Sequence, residues 1–147
     1  MATLSDSEQK KIKQSIEWAE NATSGELRVC IENKCEKDAY ERAITCFYDL
    51  KMDVTALRNG VLVYVALEDK KFAIIGDEGI NKAVPPDFWN STKKLMIDKF
   101  KSNELVEGIS VGIIEAGKQL KKYFPHQLDD LNELPDDIVF LNEEKKE

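Results

Sequence analysis

The stretch NGVLVYVALEDKKFAIIGDEGI, residues 59–80, decides the fold of this chain. Its first apolar run, residues 61–67, is apolar at every position, which is typical of a central strand covered on both faces. The second apolar run, residues 71–76, follows a short charged turn around residues 68–69. We therefore predict a β-hairpin with an antiparallel second strand.

The rest of the chain alternates helices and strands around this hairpin. Residues 26–32, ELRVCIE, alternate apolar and polar side chains, which predicts a strand with one wetter face. Ser5 and Glu8 form the pattern of a capping box, and Asp38 and Asp87 are expected to cap later helices. Apolar spacing predicts helices over about 6–22, 88–101 and 103–123, a helix that begins after Asp38, and a last strand within 137–141.

The order of these elements predicts the fold class. A strand, a crossover helix and a second strand favour parallel pairing of the first two strands, and the hairpin adds an antiparallel third. We therefore expect an α/β fold, a three-layer α/β/α sandwich with a small mixed sheet of three to four strands. Residues 1–141 are expected to form a single domain, and residues 142–147 a disordered tail.

Composition limits the possible partners. The chain has 147 residues, 28 acidic and 21 basic, for a formal net charge of −7. This balance argues against nucleic acid, because a nucleic-acid-binding face needs basic residues to neutralise phosphates. A negative net charge is compatible with a cation-binding protein. It is equally compatible with a protein whose charge serves only to keep it soluble. An unidentified protein partner is compatible with either reading, and we expect a monomer.

The cysteines and the N-terminus indicate a compartment. Cys30, Cys35 and Cys46 make an odd number, and the N-terminal residues contain no apolar signal segment. No apolar run reaches the roughly 18 residues that a membrane span needs. We therefore predict a cytoplasmic protein with reduced thiols and without a membrane span.

Oxygen-bearing side chains are expected at one edge of the sheet. Parallel strands begin at the same edge, and an antiparallel third strand ends there. A turn of two residues at 68–69 places Asp77 opposite Gly60, and a longer turn shifts this pairing by a residue or two. The residues expected at this edge are Ser24, Gly25, Glu26, Asp53, Asn59, Gly60, Gly76, Asp77, Glu78 and Gly79.

Carboxylate, amide and carbonyl oxygens are the ligands that hard cations prefer. We predict a divalent-cation site with Glu26, Asp53, Asp77 and Glu78 as ligands and with Asn59, Gly60, Gly76 and Gly79 in the supporting loops. If the last strand joins the sheet, an acidic loop passes nearby and adds Asp129 and Asp130. Calcium is the favoured ion and magnesium the alternative. In the competing interpretation, Asp77 and Glu78 occupy an ordinary turn and the acidic loop is solvated surface.

Four segments resemble the TPM domain family, named for a thylakoid lumen phosphatase-like protein, a photosystem II repair protein and a modulator of acetylcholine receptors. They are TSGELRV (23–29), residues 56–80, residues 88–124 and LNELPDDI (131–138). The resemblance is greatest to small stand-alone bacterial members. It implies an α/β/α sandwich and, in some relatives, calcium binding and acid phosphatase activity. Positions that match the family pattern are Gly25, Glu26, Asp53, Asn59, Gly60, Gly76 and Gly79.

Two functions follow, and they belong to different classes. The favoured one is a noncatalytic, metal-responsive interaction module, because oxygen ligands are plentiful and no pairing of a nucleophile with a base is visible. The alternative is a metal-dependent hydrolase of the acid phosphatase type. The sequence has no P-loop and no Cys-x5-Arg motif, but Arg28 and Arg58 lie near the strands, where they could hold a phosphate or pair with carboxylates.

Overall fold

The computed structural model describes residues 4–126 and 138–141. Within them the chain alternates helices and strands in the predicted order, with one additional short helix after the hairpin. The elements are α1 (Asp6–Ala22), β1 (Glu26–Glu32), α2 (Ala39–Asp49), a 3-10 helix (Met52–Val54), β2 (Gly60–Ala66), β3 (Lys71–Gly76), α3 (Glu78–Ala83), α4 (Asn90–Lys101), α5 (Leu105–Leu120) and β4 (Val139–Phe140).

Side-chain caps fix the starts of the first two helices. The Ser5 hydroxyl accepts the N–H of Glu8 at 3.2 Å, and the Glu8 carboxylate accepts the N–H of Ser5 at 2.8 Å. This reciprocal arrangement is the predicted capping box of α1. Asp38 accepts the N–H of Glu41 at 3.2 Å and so caps α2, which begins at the next residue.

The sheet has the strand order β3-β2-β1-β4. β1 pairs in parallel with β2 and with β4, and β2 pairs antiparallel with β3. The predicted mixed α/β sheet is therefore correct, and the last strand joins it beside β1. No helix within residues 4–126 and 138–141 is long and apolar enough to cross a membrane.

Helices cover both faces of the sheet and form two apolar layers. One face packs against α1, α4 and α5, and its centre contains Ile16, Val63 and Ile113. The other face packs against α2, where Phe47 and Tyr64 are almost fully buried. All seven residues of β2 are buried, as a strand covered on both sides requires.

Two local predictions were wrong, and so was the competing interpretation of residues 77–78 as an ordinary turn. The segment after β3 is not a turn but the short helix α3, which Asp77 caps by accepting the N–H of Glu78 at 2.8 Å. Asp87 does not cap α4, because residues 86–89 form a turn and Trp89 precedes the helix without a side-chain cap. The expected wetter face of β1 is covered by α2, so that Glu32 is only 5% exposed.

Candidate functional site

The sheet edge at which β1 and β2 begin brings together residues that are distant in sequence. Glu26 and Gly60 are partners in the parallel register of β1 and β2. The N–H of Asp77 donates to the carbonyl of Gly60 at 2.9 Å. The structure therefore places Asp77 opposite Gly60, which is the pairing predicted for a two-residue turn at 68–69. At the turn end of the hairpin, the last paired residues of β2 and β3 are Ala66 and Lys71.

An arginine neutralises the most buried aspartate of this edge. The Arg58 Nε donates to one Asp77 carboxylate oxygen at 2.7 Å, and an Nη donates to the other at 2.8 Å. Asp77 is 4% exposed, whereas the Arg58 side chain is 36% exposed. Two parallel bonds from a guanidinium to a carboxylate form a strong, directional pair. Of the two roles left open for Arg58, the structure shows the one in which it pairs with a carboxylate.

Arg58 is also close to the other acidic residues of the edge. Its Nη1 lies 3.4 Å from a carboxylate oxygen of Glu78. The hydrogen bonds to Asp77 raise the pKa of Arg58 above its usual value, and the charges of Asp77, Glu78 and Asp53 add to the increase. Glu78 is exposed, and Asp53 is half-buried in the 3-10 helix. The acidic edge therefore already contains one internal cation.

Asn59 contributes a buried oxygen to which no described residue donates. Its side-chain amide donates to the carbonyl of Ser24 at 3.2 Å, and its backbone N–H donates to the hydroxyl of Thr55 at 3.2 Å. The Asn59 carbonyl accepts the N–H of Glu26 at 3.1 Å. The side-chain oxygen has no hydrogen-bond partner among the described residues, and Asn59 is 2% exposed. An orphaned acceptor at such depth is unusual and calls for a donor or a cation.

Gly79 holds α3 against the loop that carries Arg58. Its N–H donates to the carbonyl of Arg58 at 2.9 Å. A Cβ at position 79 would lie 2.5 Å from that carbonyl oxygen, and closer still to the carbonyl oxygen of Leu57. The close approach of two backbone segments is what requires glycine here. Gly76, at the end of β3, leads directly into Asp77.

The predicted metal ligands are only partly gathered. The structure brings Glu26, Asp77 and Glu78 to one edge, and Asp53 close enough for its charge to act on Arg58. Asp129 and Asp130 lie outside the described residues. Within residues 4–126 and 138–141, no three His, Cys, Asp or Glu side chains are grouped so that they could hold a metal ion. The predicted ligand set therefore stays a prediction.

A groove with a volume of about 200 Å³ opens beside the ion pair. One side is formed by α2, through Tyr40, Ile44 and Tyr48, and the other by Ile75 at the end of β3. Arg58, Asp77 and Glu78 form its polar end. The sequence analysis missed this groove. Its signal was the spacing of four residues between Tyr40, Ile44 and Tyr48, which puts the three side chains on one stripe of α2.

A second buried ion pair lies at the opposite end of the same strands. Glu32 accepts from Arg42 through both carboxylate oxygens, at 2.9 and 3.1 Å, and it also accepts from the hydroxyl of Tyr64. Hydrogen bonding to Glu32 raises the pKa of Arg42. Burial, followed by the bond to Glu32, raises the pKa of Tyr64. This network ties α2 to the two central strands.

Comparison with known proteins gives one family and one close structural relative. The sequence model of the TPM domain matches residues 1–124. The NMR structure of the BA42 protein from the psychrophilic bacterium Bizionia argentinensis is 47% identical in sequence to this chain. It superposes with a TM-score of 0.88 over 95% of this chain and 96% of that chain.

Two more distant structures share the fold. The N-terminal domain of a protein from P. gingivalis has a TM-score of 0.65 at 15% identity, over 84% of this chain and 82% of that chain. The N-terminal domain of the cg2496 protein from Corynebacterium glutamicum has a TM-score of 0.62 at 9% identity, over 93% and 80%. No curated protein matches the sequence.

Proposed function

The chain belongs to the TPM domain family, and from this premise we propose that it is a noncatalytic module that binds a divalent cation. The bound ion would order the loops at the edge where β1 and β2 begin, and the ordered surface would contact a protein partner. Calcium is the favoured ion, because it accepts irregular sets of oxygen ligands, and magnesium is the alternative.

One observation carries this proposal, namely the buried side-chain oxygen of Asn59 that has no hydrogen-bond partner among the described residues. A hard cation is a suitable partner for such an oxygen. Glu26 lies at the same edge of the sheet and is 4% exposed. Glu78 and Asp53 supply further carboxylates. These carboxylates are not grouped as a metal site in the described structure, so we propose that the loops carry Glu26, Glu78 and Asp53 towards Asn59 when the ion binds, with Asp129 and Asp130 as additional ligands from the acidic loop. The ion would supply a positive charge to the acidic edge, and these side chains would supply the oxygen atoms that coordinate it.

Asp77 has a different role from the other predicted ligands. Both of its carboxylate oxygens accept bonds from Arg58, and one also accepts the N–H of Glu78. An ion that takes both carboxylate oxygens of Asp77 would have to displace the guanidinium. We propose that Arg58 and the divalent ion compete for the acidic edge, so that ion binding moves Arg58.

Three further features support a cytoplasmic, noncatalytic, monomeric module. Cys30, Cys35 and Cys46 are all buried free thiols, which suits a reducing compartment. The single histidine of the chain, His126, is exposed after α5. The net charge of −7 opposes self-association and binding to nucleic acid.

Calcium titration tests the proposal. Addition of CaCl2 to the 15N-labelled full chain is expected to move the backbone amide signals of residues 58–60 and 76–79, because the ion enters beside Asn59 and perturbs the Arg58 pair. The melting temperature should rise with added calcium and fall back with chelator. The same titration with MgCl2 identifies the preferred ion.

Two variants make this test specific. Glu78→Gln and Glu17→Gln each remove one negative charge from an exposed position of a helix, but Glu17 lies on α1 and is not one of the proposed ligands. Glu78→Gln should weaken calcium binding severalfold, and Glu17→Gln should leave it unchanged. A melting temperature that responds neither to calcium nor to chelator, or an equal effect of the two variants, would overturn the proposal.

The hydrolase alternative is favoured by one feature, the partly exposed guanidinium of Arg58 on the wall of the groove. Guanidinium groups can stabilise a phosphoryl group during transfer. We expect no hydrolysis of p-nitrophenyl phosphate above that of the Glu26→Ala variant, from acidic to neutral pH and with either ion. A metal-dependent rate in the native chain that disappears in Glu26→Ala would establish the hydrolase instead.

A further inference from the structure

The most exposed large apolar side chains of the described residues are concentrated around the candidate site. Tyr40 and Tyr48 are each 56% exposed, Leu57 is 58% exposed and Val54 is 61% exposed. The other large apolar side chains that are exposed in this part of the chain reach at most 45%. Apolar surface that is rimmed by polar groups commonly marks a contact with another protein.

Tyr40 and Tyr48 line the groove beside Arg58, and Val54 and Leu57 lie in the segment of chain that leads to Arg58. Tyr40, Ile44 and Tyr48 form one stripe along α2 and line the groove, and we call this stripe with the opposing Ile75 the aromatic groove. Val54 lies in the 3-10 helix that packs against α2, and Leu57 immediately precedes Arg58. Eight residues of helix span about 12 Å, which is the length of about four residues of extended chain. The groove therefore has the dimensions for a short peptide segment.

The fold does not need the two tyrosines of this stripe for its own core, although Ile44 between them packs partly against it. α2 already buries Ala43, Cys46 and Phe47 against the sheet. The Tyr48 ring meets the buried Phe47 ring edge to face at 5.4 Å, so that Tyr48 is positioned while most of its surface remains in solvent. Positioned aromatic side chains that keep their exposure are typical anchor points of interfaces.

The charges around the groove select a basic occupant. Arg58 pairs with Asp77 and also lies 3.4 Å from Glu78, so the polar end contains one guanidinium and two carboxylates, and the Glu78 side chain is 55% exposed. Glu41 is exposed at the first turn of α2. Lysine and arginine side chains can pair with these carboxylates and pack on tyrosine rings. A second copy of a chain with net charge −7 is a poor fit.

We propose that the aromatic groove binds a segment of a partner protein in which an apolar or aromatic anchor is flanked by lysine or arginine. The inference names the partner class of the proposed function, and it rests on that function only for the dependence on calcium. An ion that displaces Arg58 from Asp77 would change the polar end of the groove and thereby the affinity for the segment.

The test uses the full chain and three synthetic peptides. Ac-GKLKFKG-NH2 carries both features, Ac-GKSKSKG-NH2 lacks the apolar anchors, and Ac-GELEFEG-NH2 reverses the charge. Only the first is expected to move the amide signals of Tyr40, Ile44 and Tyr48 at peptide concentrations up to about 2 mM. No shift with the first peptide, or an equal shift with the charge-reversed one, would overturn the proposal.

A matched pair of variants places the contact. Tyr48→Ser should weaken binding of the first peptide about fivefold or more. Trp18→Ser removes an aromatic ring that is 45% exposed on α1 and should change nothing. Equal losses in the two variants would contradict a site on α2. Circular dichroism of both variants checks that the fold is intact.

The same titrations in calcium and in chelator separate this inference from the proposed function. Peptide binding that is the same in both buffers, in a chain whose signals do not respond to calcium, keeps the groove and rejects the ion. A chain that responds to calcium but does not bind the first peptide keeps the ion and rejects the groove.

Discussion

Replacement of Arg42 by Met is expected to lower the free energy of unfolding by about 3 kcal/mol, because it removes the guanidinium that donates to both oxygens of a buried carboxylate. Glu32 is 5% exposed and receives two bonds from the Arg42 guanidinium. Of the hydrogen bonds to Glu32 described above, the one from the Tyr64 hydroxyl then remains, and this hydroxyl carries no charge. The value lies at the low end for buried pairs, since the Arg42 side chain is 28% exposed.

Urea denaturation followed by circular dichroism measures this loss. The pair Lys11 and Glu107 provides the comparison, because both of its side chains are substantially exposed. Lys11→Met should cost less than about 1 kcal/mol. In the double variant Arg42→Met/Glu32→Gln, part of the lost stability should return, because no buried charge is left unpaired. If Arg42→Met costs no more than Lys11→Met, the Glu32 network does not stabilise the fold.

The Arg42 network also bears on the aromatic groove. Arg42 lies on α2 between Tyr40 and Ile44, and it joins this helix to Glu32 at the end of β1. A loosened α2 would misplace the tyrosine stripe. Peptide binding by Arg42→Met should therefore fall with stability, whereas Tyr48→Ser should reduce binding alone.

The sheet and its edge could be predicted from the sequence because they depend on periodicity and strand direction. Seven consecutive apolar residues allow only a covered central strand, and the direction of the hairpin then returns Asp77 to Gly60. The short helix α3 could not be predicted, because Gly76 and Gly79 flank its cap and read as turn residues. Its formation depends on the contact of Gly79 with the carbonyl of Arg58, which is tertiary.

The electrostatics of the site were also beyond the sequence. Acidic residues at one edge can attract a metal ion or an arginine, and composition does not distinguish the two. Arg58 reaches Asp77 because its backbone adopts a left-handed conformation, with φ of 51°, two residues before β2 begins. The same limit applies to Glu32, which alternation assigned to a wetter face and which Arg42 and Tyr64 hold in the interior.

Replacement of Gly79 by Ala is expected to destabilise the chain by about 2–3 kcal/mol, because the new methyl group collides with backbone that cannot rotate away. The sign is the informative part. In a helix, alanine is ordinarily about 1 kcal/mol better than glycine, so local preference alone predicts a gain in stability. Here a Cβ would lie 2.5 Å from the carbonyl oxygen of Arg58 and closer to that of Leu57.

Gly25→Ala is the matched control, since a Cβ there would approach no closer than 3.4 Å, to a methyl group of Leu120. It should change stability by less than about 1 kcal/mol. In Gly79→Ala the loop before β2 must move, so the amide signals of Arg58 and Asp77 should shift and the response to calcium should weaken. A stable Gly79→Ala with unchanged signals would mean that α3 and the Arg58 loop are not held in contact. The acidic edge would then lack the rigid frame on which both the ion pair and the proposed cation site depend.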